Sequence, residues 1–201
     1  MFEIDVEQGT AEWLQLRVGK VTGTRLKEVL KKDNLPLVDE MIAEIGVGSA
    51  ETSFVTSAMQ RGNDMEKVAL KYYTNCTGIE IESVGFCMSF DNDYIGLSPD
   101  GFTKDRTGAI EIKCPSTKTH CKYIRVDKVP TDYKGQILMY FIINEKLEYL
   151  DFVSFDDRFI PKPIWIKRVT RLELIDEINE AKFELDKFLT KFLQYYKKVN
   201  S

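Results

Sequence analysis

Asp100, Glu111 and Lys113 are the residues of this sequence whose types and spacing could do chemistry. Asp100 lies in the run Ser98-Pro99-Asp100-Gly101; Glu111 and Lys113 stand two apart in Ala109-Ile110-Glu111-Ile112-Lys113-Cys114-Pro115. Side chains alternate along a strand, so Glu111 and Lys113 share one face while Ile110 and Ile112 enter a core on the other. A carboxylate pair beside a lysine suits phosphodiester hydrolysis. Carboxylates of this kind hold Mg²⁺, which stabilises charge on phosphate oxygens and activates a water. The pattern points to a metal-dependent nuclease.

The same loose spacing recurs at Asp132-x-Lys134 and Glu180-x-Lys182, but in stretches of helical periodicity, where residues two apart do not share a face. Only Glu111 and Lys113 lie in an alternating apolar strand, behind a turn over residues 104–108 that returns the chain beside Asp100. An exposed hairpin with ordinary surface charges would not put both charges on one face.

The elements that must position these groups fit one domain over residues 1–201, with no repeat or linker. A helix is expected from Thr10 to Gly19, carrying Trp13 as a core anchor, and another from Thr24 to Lys32. Residues 33–52 read as a short amphipathic stretch among Gly and Pro. A long helix is expected from Ser53 to Asn75, with Val55, Met59, Met65, Val68, Ala69 and Tyr72 buried and Gly62 as a bend or break. Strands follow at Ile79–Val84, Gly85–Phe90 and Tyr94–Leu97, then the Glu111 strand. Tyr133–Ile143 reads as a helix and Tyr149–Phe155 and Ile164–Val169 as strands. A last helix starts at a capping box of Thr170 and Glu173 and buries Ile175, Ile178, Leu185, Phe188, Leu189, Phe192 and Tyr196. The order gives α+β, or α/β with a mixed central sheet flanked by helices.

Net charge is −4, with an uneven distribution. Six basic residues between Lys113 and Lys134 face only Asp127 and Asp132, and four between Lys162 and Arg171 face no acid. The first run begins at the proposed active strand, as phosphate contact requires. Ile137 to Ile143 is too short to span a bilayer and the N-terminus has no signal pattern, so a cytoplasmic protein is expected. Cys76, Cys87, Cys114 and Cys121 form no CxxC pair and there is one histidine, His120, read as an ordinary polar side chain; free thiols are expected rather than a zinc site.

The segments Ser98–Gly101 and Glu111–Pro115 resemble the PD-(D/E)xK nuclease superfamily, and within it the phage exonucleases of the lambda exonuclease/YqaJ viral recombinase type. Three further segments fit that type: Trp13 to Gly19 followed by Val21-Thr22-Gly23-Thr24; Arg61-Gly62-Asn63-Asp64-Met65-Glu66; and Tyr133-Lys134-Gly135-Gln136. Lys20 after the first glycine, and Thr24 where serine is common, are departures. The resemblance implies a restriction-endonuclease-like core and a Mg²⁺-dependent 5′→3′ exonuclease acting on double-stranded DNA ends. Mn²⁺ would substitute, with two ions per site. Asp100, Glu111, the Ile112 carbonyl and Glu66 would hold metal. Lys113 would orient the attacking water, its pKa lowered towards a base's range by the two metals beside it, with Tyr133 and Gln136 alongside. Arg17, Thr22 and Thr24 would grip a 5′-phosphate. The resemblance also implies a ring-shaped homo-oligomer, typically a trimer, a single-strand annealing partner, and a phage origin in a bacterial host cytoplasm. A structure-specific endonuclease, a non-catalytic DNA-end-binding module and an iron–sulfur nuclease are the competing readings. The last needs four cysteine ligands, and none follows Cys121.

Overall fold

The computed structural model describes residues 1–49 and 57–201. Its axis is β5 (Gly108–Lys113), paired antiparallel with β4 (Gly101–Phe102) and parallel with β6 (Tyr149–Phe155). β6 pairs antiparallel with β7 (Ile164–Thr170), which completes a mixed sheet in the order β4-β5-β6-β7. A parallel neighbour needs a crossover. It is made by α5 (Thr117–Val126), a 3₁₀ turn at Thr131–Tyr133 and α6 (Lys134–Ile143). A smaller antiparallel sheet joins β1 (Phe2–Ile4), β2 (Phe86–Met88) and β3 (Gly96–Leu97). The other helices are α1 (Ala11–Arg17), α2 (Gly23–Val29), α3 (Leu35–Val47), α4 (Ser57–Thr77) and α7 (Ile175–Val199). This is the mixed sheet flanked by helices that the sequence implies. None of the described helices is long and apolar enough to cross a membrane.

Both faces of β5 are covered, and alternation decides what each carries. Ile110 and Ile112 join Val153 and Phe155 against Ala69 and Tyr73 of α4. Ala109 and Phe152 face the larger core, which holds the apolar sides of α6 and α7. Glu111 and Lys113 have the parity of Ala109, so they project on the α6 side at the end of the strand.

Several expectations change. Ile79–Val84 is not a strand; only Glu82 bridges, antiparallel, to Phe102 of β4, which is two residues long. α5 and β1 were not foreseen, and residues 33–52 contain the well-formed α3. α4 runs through Gly62 without a break, and among the described residues its buried positions are Ala69 and Tyr73, while Val68 and Tyr72 face outwards. Val55 lies outside the described residues, as does the Met59 side chain. Thr170 and Glu173 make the expected reciprocal hydrogen bonds, but they close the turn after β7, and α7 begins at Ile175. His120 is fully buried: Nε2 donates to the Lys162 carbonyl at 2.8 Å and Nδ1 meets Ser154 Oγ at 2.7 Å.

Asp156, just beyond β6, is fully buried and ties three elements together. It accepts from Arg158 Nε at 2.6 Å, Thr117 Oγ1 at 2.5 Å and Arg61 of α4 at 3.2 Å. Burial works against its charge, but these donors outweigh it and hold the pKa at about 2. A carboxylate with a depressed folded pKa stabilises above its unfolded pKa, and that contribution is lost as pH falls through the folded value. Asp156→Asn should therefore cost about 2 kcal/mol at neutral pH. Denaturant titrations from pH 6 to pH 2 should show the gap between the two proteins closing below about pH 4.

Candidate active site

Asp100 and Glu111 meet where β4 and β5 diverge. The last β4–β5 pair towards the site is Gly101 with Ile110; beyond it the Ile112 N–H donates instead to Asp100 Oδ2 at 2.6 Å. In a strand the N–H and C=O of one residue point to the same side, so the Ile112 carbonyl also faces Asp100. Glu111 is buried, and Lys113 Nζ lies 2.5 Å from its Oε1. The Tyr140 hydroxyl of α6 lies 2.8 Å from Glu111 Oε2 and accepts the Asp100 N–H at 2.9 Å.

Electrostatics follow from this crowding. Burial, then the neighbouring Glu111, pushes the Asp100 carboxyl well above the usual carboxylate range, despite Lys113 and the Ile112 N–H. Glu66 of α4 is also raised, first by burial and then by Glu111, against the opposing pull of Lys113. Burial opposes the charge on Lys113, yet Glu111 and Asp100 prevail and its pKa is raised. Lys113 also lies 5.3 Å from the centroid of the Tyr133 ring, which packs on Phe152.

The predicted phosphate-binding residues converge on the same place. Arg17, Thr22, Thr24 and Gln136 line one small cleft of about 50 Å³ with Ser98, Glu111 and Tyr140. Arg17 donates to Ser98 Oγ at 2.7 Å, and its guanidinium lies 4.3 Å from the centroid of Trp13. Trp13 is not a core anchor: it is half-buried, and its indole N–H donates to the same Ser98 Oγ at 3.0 Å. Burial, with a contribution from Arg25, lowers the Arg17 pKa to about 10. Thr22 precedes α2 without capping it, and its hydroxyl lies 3.3 Å from that of Thr24. Behind them Glu44 of α3 is buried between Arg25 and the Gly19 N–H.

Three residues escaped the sequence reading. Tyr140 lies inside the apolar run Ile137–Ile143, where it looks like core; its signal was the single side-chain hydroxyl in that run. Ser98 was part of a motif but had no role. Glu44 lies in residues 33–52 and was given no role.

Among the described residues no group of three or more His, Cys, Asp or Glu side chains is placed to hold a metal ion together. The site is a carboxylate pair with Glu66 within electrostatic reach. That suits Mg²⁺, which is commonly bound by one or two carboxylates plus waters and substrate phosphates rather than by an all-protein cage.

The YqaJ-like viral recombinase domain matches residues 12–146, which include every residue of this cleft. The chain belongs to that family. Its fold is that of the crystal structure of an alkaline exonuclease, LHK-Exo, from Laribacter hongkongensis, at a TM-score of 0.86 and 32% identity over 95% of this chain and 96% of that one. LHK-Exo in complex with dAMP matches at 0.80 and 33%, over 95% and 98%. A phage related exonuclease from Haemophilus somnus 129PT shares the fold at 0.58 and 18% identity, over 88% and 96%. No curated protein matches. The family thus joins a PD-(D/E)xK-type fold to the carboxylate–lysine strand described here.

The cleft exists because α2 and α6 cross closely. A Cβ on Gly135 would lie 2.9 Å from the Lys27 backbone nitrogen, and one on Gly23 3.3 Å from the Gln136 Cα. Gly135→Ala must push the helices apart, at about 1–3 kcal/mol, offset by at most about 1 kcal/mol of helix propensity. Gly62→Ala, with nothing within 4 Å of its Cβ, has only the propensity gain. Thermal melts should show the first variant less stable than wild type and the second equal or more stable.

Proposed function

We propose that this chain is a DNA exonuclease of recombination that degrades one strand of linear duplex DNA, 5′→3′, from 5′-phosphorylated ends and with a divalent cation. The observation that carries the reading is the shared cleft: Arg17, Thr22 and Thr24 open onto the same small space as Glu111 and Gln136. A cation that grips a terminal phosphate beside a hydrolytic carboxylate sets where on the strand the cut falls.

Asp100, Glu111, the Ile112 carbonyl and Glu66 would hold Mg²⁺, or Mn²⁺ in its place, with two ions per site. When bound, such ions stabilise charge on phosphate oxygens and make a water acidic enough to attack. Lys113 offsets developing charge and orients the water; Tyr133 and Gln136 border that position. Arg17 holds the terminal phosphate as a fork, which lysine would not reproduce. Further out, Lys118, Lys122 and Arg125 lie on the exposed side of α5, which starts directly after the active strand. Their spacing puts them on one stripe suited to a phosphate backbone. A ring-shaped homo-oligomer, such as a trimer, with that stripe turned towards DNA would reconcile an acidic chain with its substrate. A single-strand annealing protein as partner and a bacterial cytoplasm complete the proposal.

Asp100→Ala and Glu111→Ala should each abolish Mg²⁺-dependent release of nucleotides from linear duplex, at unchanged circular dichroism. Full activity in either variant would overturn the site. Arg17→Ala should act on the choice of end. Charged hydrogen bonds are worth about 1.5–3 kcal/mol each, so degradation of the 5′-phosphorylated duplex should slow by at least about tenfold. The 5′-hydroxyl duplex should change much less. Equal losses on both substrates would remove the phosphate pocket from the reading.

A further inference from the structure

The Tyr140 hydroxyl stands between the two carboxylates without belonging to either. It has one proton to give, and Glu111 Oε2 at 2.8 Å is nearer than the Ile110 carbonyl at 3.1 Å. It accepts from the Asp100 backbone N–H, so one phenol joins the main chain of the first carboxylate to the side chain of the second. Its ring is fully buried and meets Phe102 edge to face, with centroids 5.8 Å apart. The opposite oxygen of Glu111, Oε1, carries the Lys113 ammonium. Asp100 is divided in the same way: Oδ2 is taken by the Ile112 N–H, and the other oxygen carries no hydrogen bond among the described residues.

We propose that Tyr140 is a positioning residue that commits Oε2 of Glu111 to the protein and leaves Oε1 as the oxygen offered to a divalent cation. Lys113, a monovalent cation on a flexible stem, occupies Oε1 in the metal-free protein and gives it up on binding. The inference rests on the metal-dependent reading of the site and adds the residue that orients the ligand. Groups that hold a metal ligand from behind typically change metal affinity or activity by about 10–100-fold when removed.

The test is calorimetric titration of Mn²⁺ into the DNA-free protein. Tyr140→Phe should weaken Mn²⁺ binding by about 10–100-fold and raise the Mg²⁺ concentration for half-maximal cleavage in step. Tyr73→Phe is the matched control. Tyr73 is equally buried and donates to a buried carboxylate, Asp151, at 2.7 Å, away from the cleft. It should lose stability but keep wild-type Mn²⁺ affinity. Wild-type Mn²⁺ binding by Tyr140→Phe, or an equal loss in Tyr73→Phe, overturns the assignment. Glu111→Ala separates the two levels: if it binds Mn²⁺ as wild type does, the metal site itself is misread. If it loses Mn²⁺ while Tyr140→Phe keeps it, only the role of Tyr140 falls. Should Tyr140→Phe not fold, 3-fluorotyrosine at position 140 retains the hydroxyl. Its ¹⁹F resonance should then move on Mg²⁺ addition, and an unmoved signal overturns the proposal.

Discussion

Two carboxylates of like charge are held side by side at the end of a buried strand, and the surrounding structure answers the cost of keeping them there. Partial burial and mutual repulsion favour the protonated acid, as the raised Asp100 pKa records. The protein meets this with one donor for each group from its own backbone or core: the Ile112 N–H for Asp100 and the Tyr140 phenol for Glu111. Lys113 then adds the charge. The Ile112 N–H is available because β4–β5 pairing stops at Gly101 and Ile110; continued pairing would have used it in the ladder.

The same economy shapes the helices. α6 presents Tyr140 and Gln136 to the cleft because it is pressed against α2, and the approach is possible because Gly23 and Gly135 have no side chain there. α4 serves the opposite face of the sheet with Ala69 and Tyr73, yet it brings Glu66 into the field of Lys113 and Glu111 from its preceding turn. Arg61, one turn further back, is anchored to Asp156 and to the Cys114 carbonyl, which fixes that part of α4 over the end of β5.

What was legible in the sequence was what periodicity and local chemistry control. The alternation of residues 109–113 placed Glu111 and Lys113 on one face, and the 3.6-residue rhythm of α7 found Ile178, Leu185, Phe188, Leu189 and Phe192 in the core. Distant partners were not legible. Residues 79–84 alternate like a strand but pair only at Glu82, with the two-residue β4, and strand preference is largely a statement about neighbours. α5 buries only His120 and Tyr123, both capable of polar contacts, so it shows no apolar stripe to read. Glu44 interrupts the apolar side of α3 because its partners, Arg25 and Gly19, come from elsewhere in the chain. Tyr140 was hidden for the same reason: a phenol inside an apolar run gives no hint of what its hydroxyl will meet.

α1 has seven residues and buries none of them. It is held from outside, by Trp13 and Arg17 on Ser98. A helix so short and so lightly packed belongs to the least stable part of a fold. Arg17 nonetheless carries the charge that faces the cleft. Any anion that Arg17 holds must then also order α1, and part of its binding free energy goes into that ordering. By reciprocity, whatever steadies α1 from its outer surface, a neighbouring subunit or a partner protein, tightens the grip on the anion without touching it.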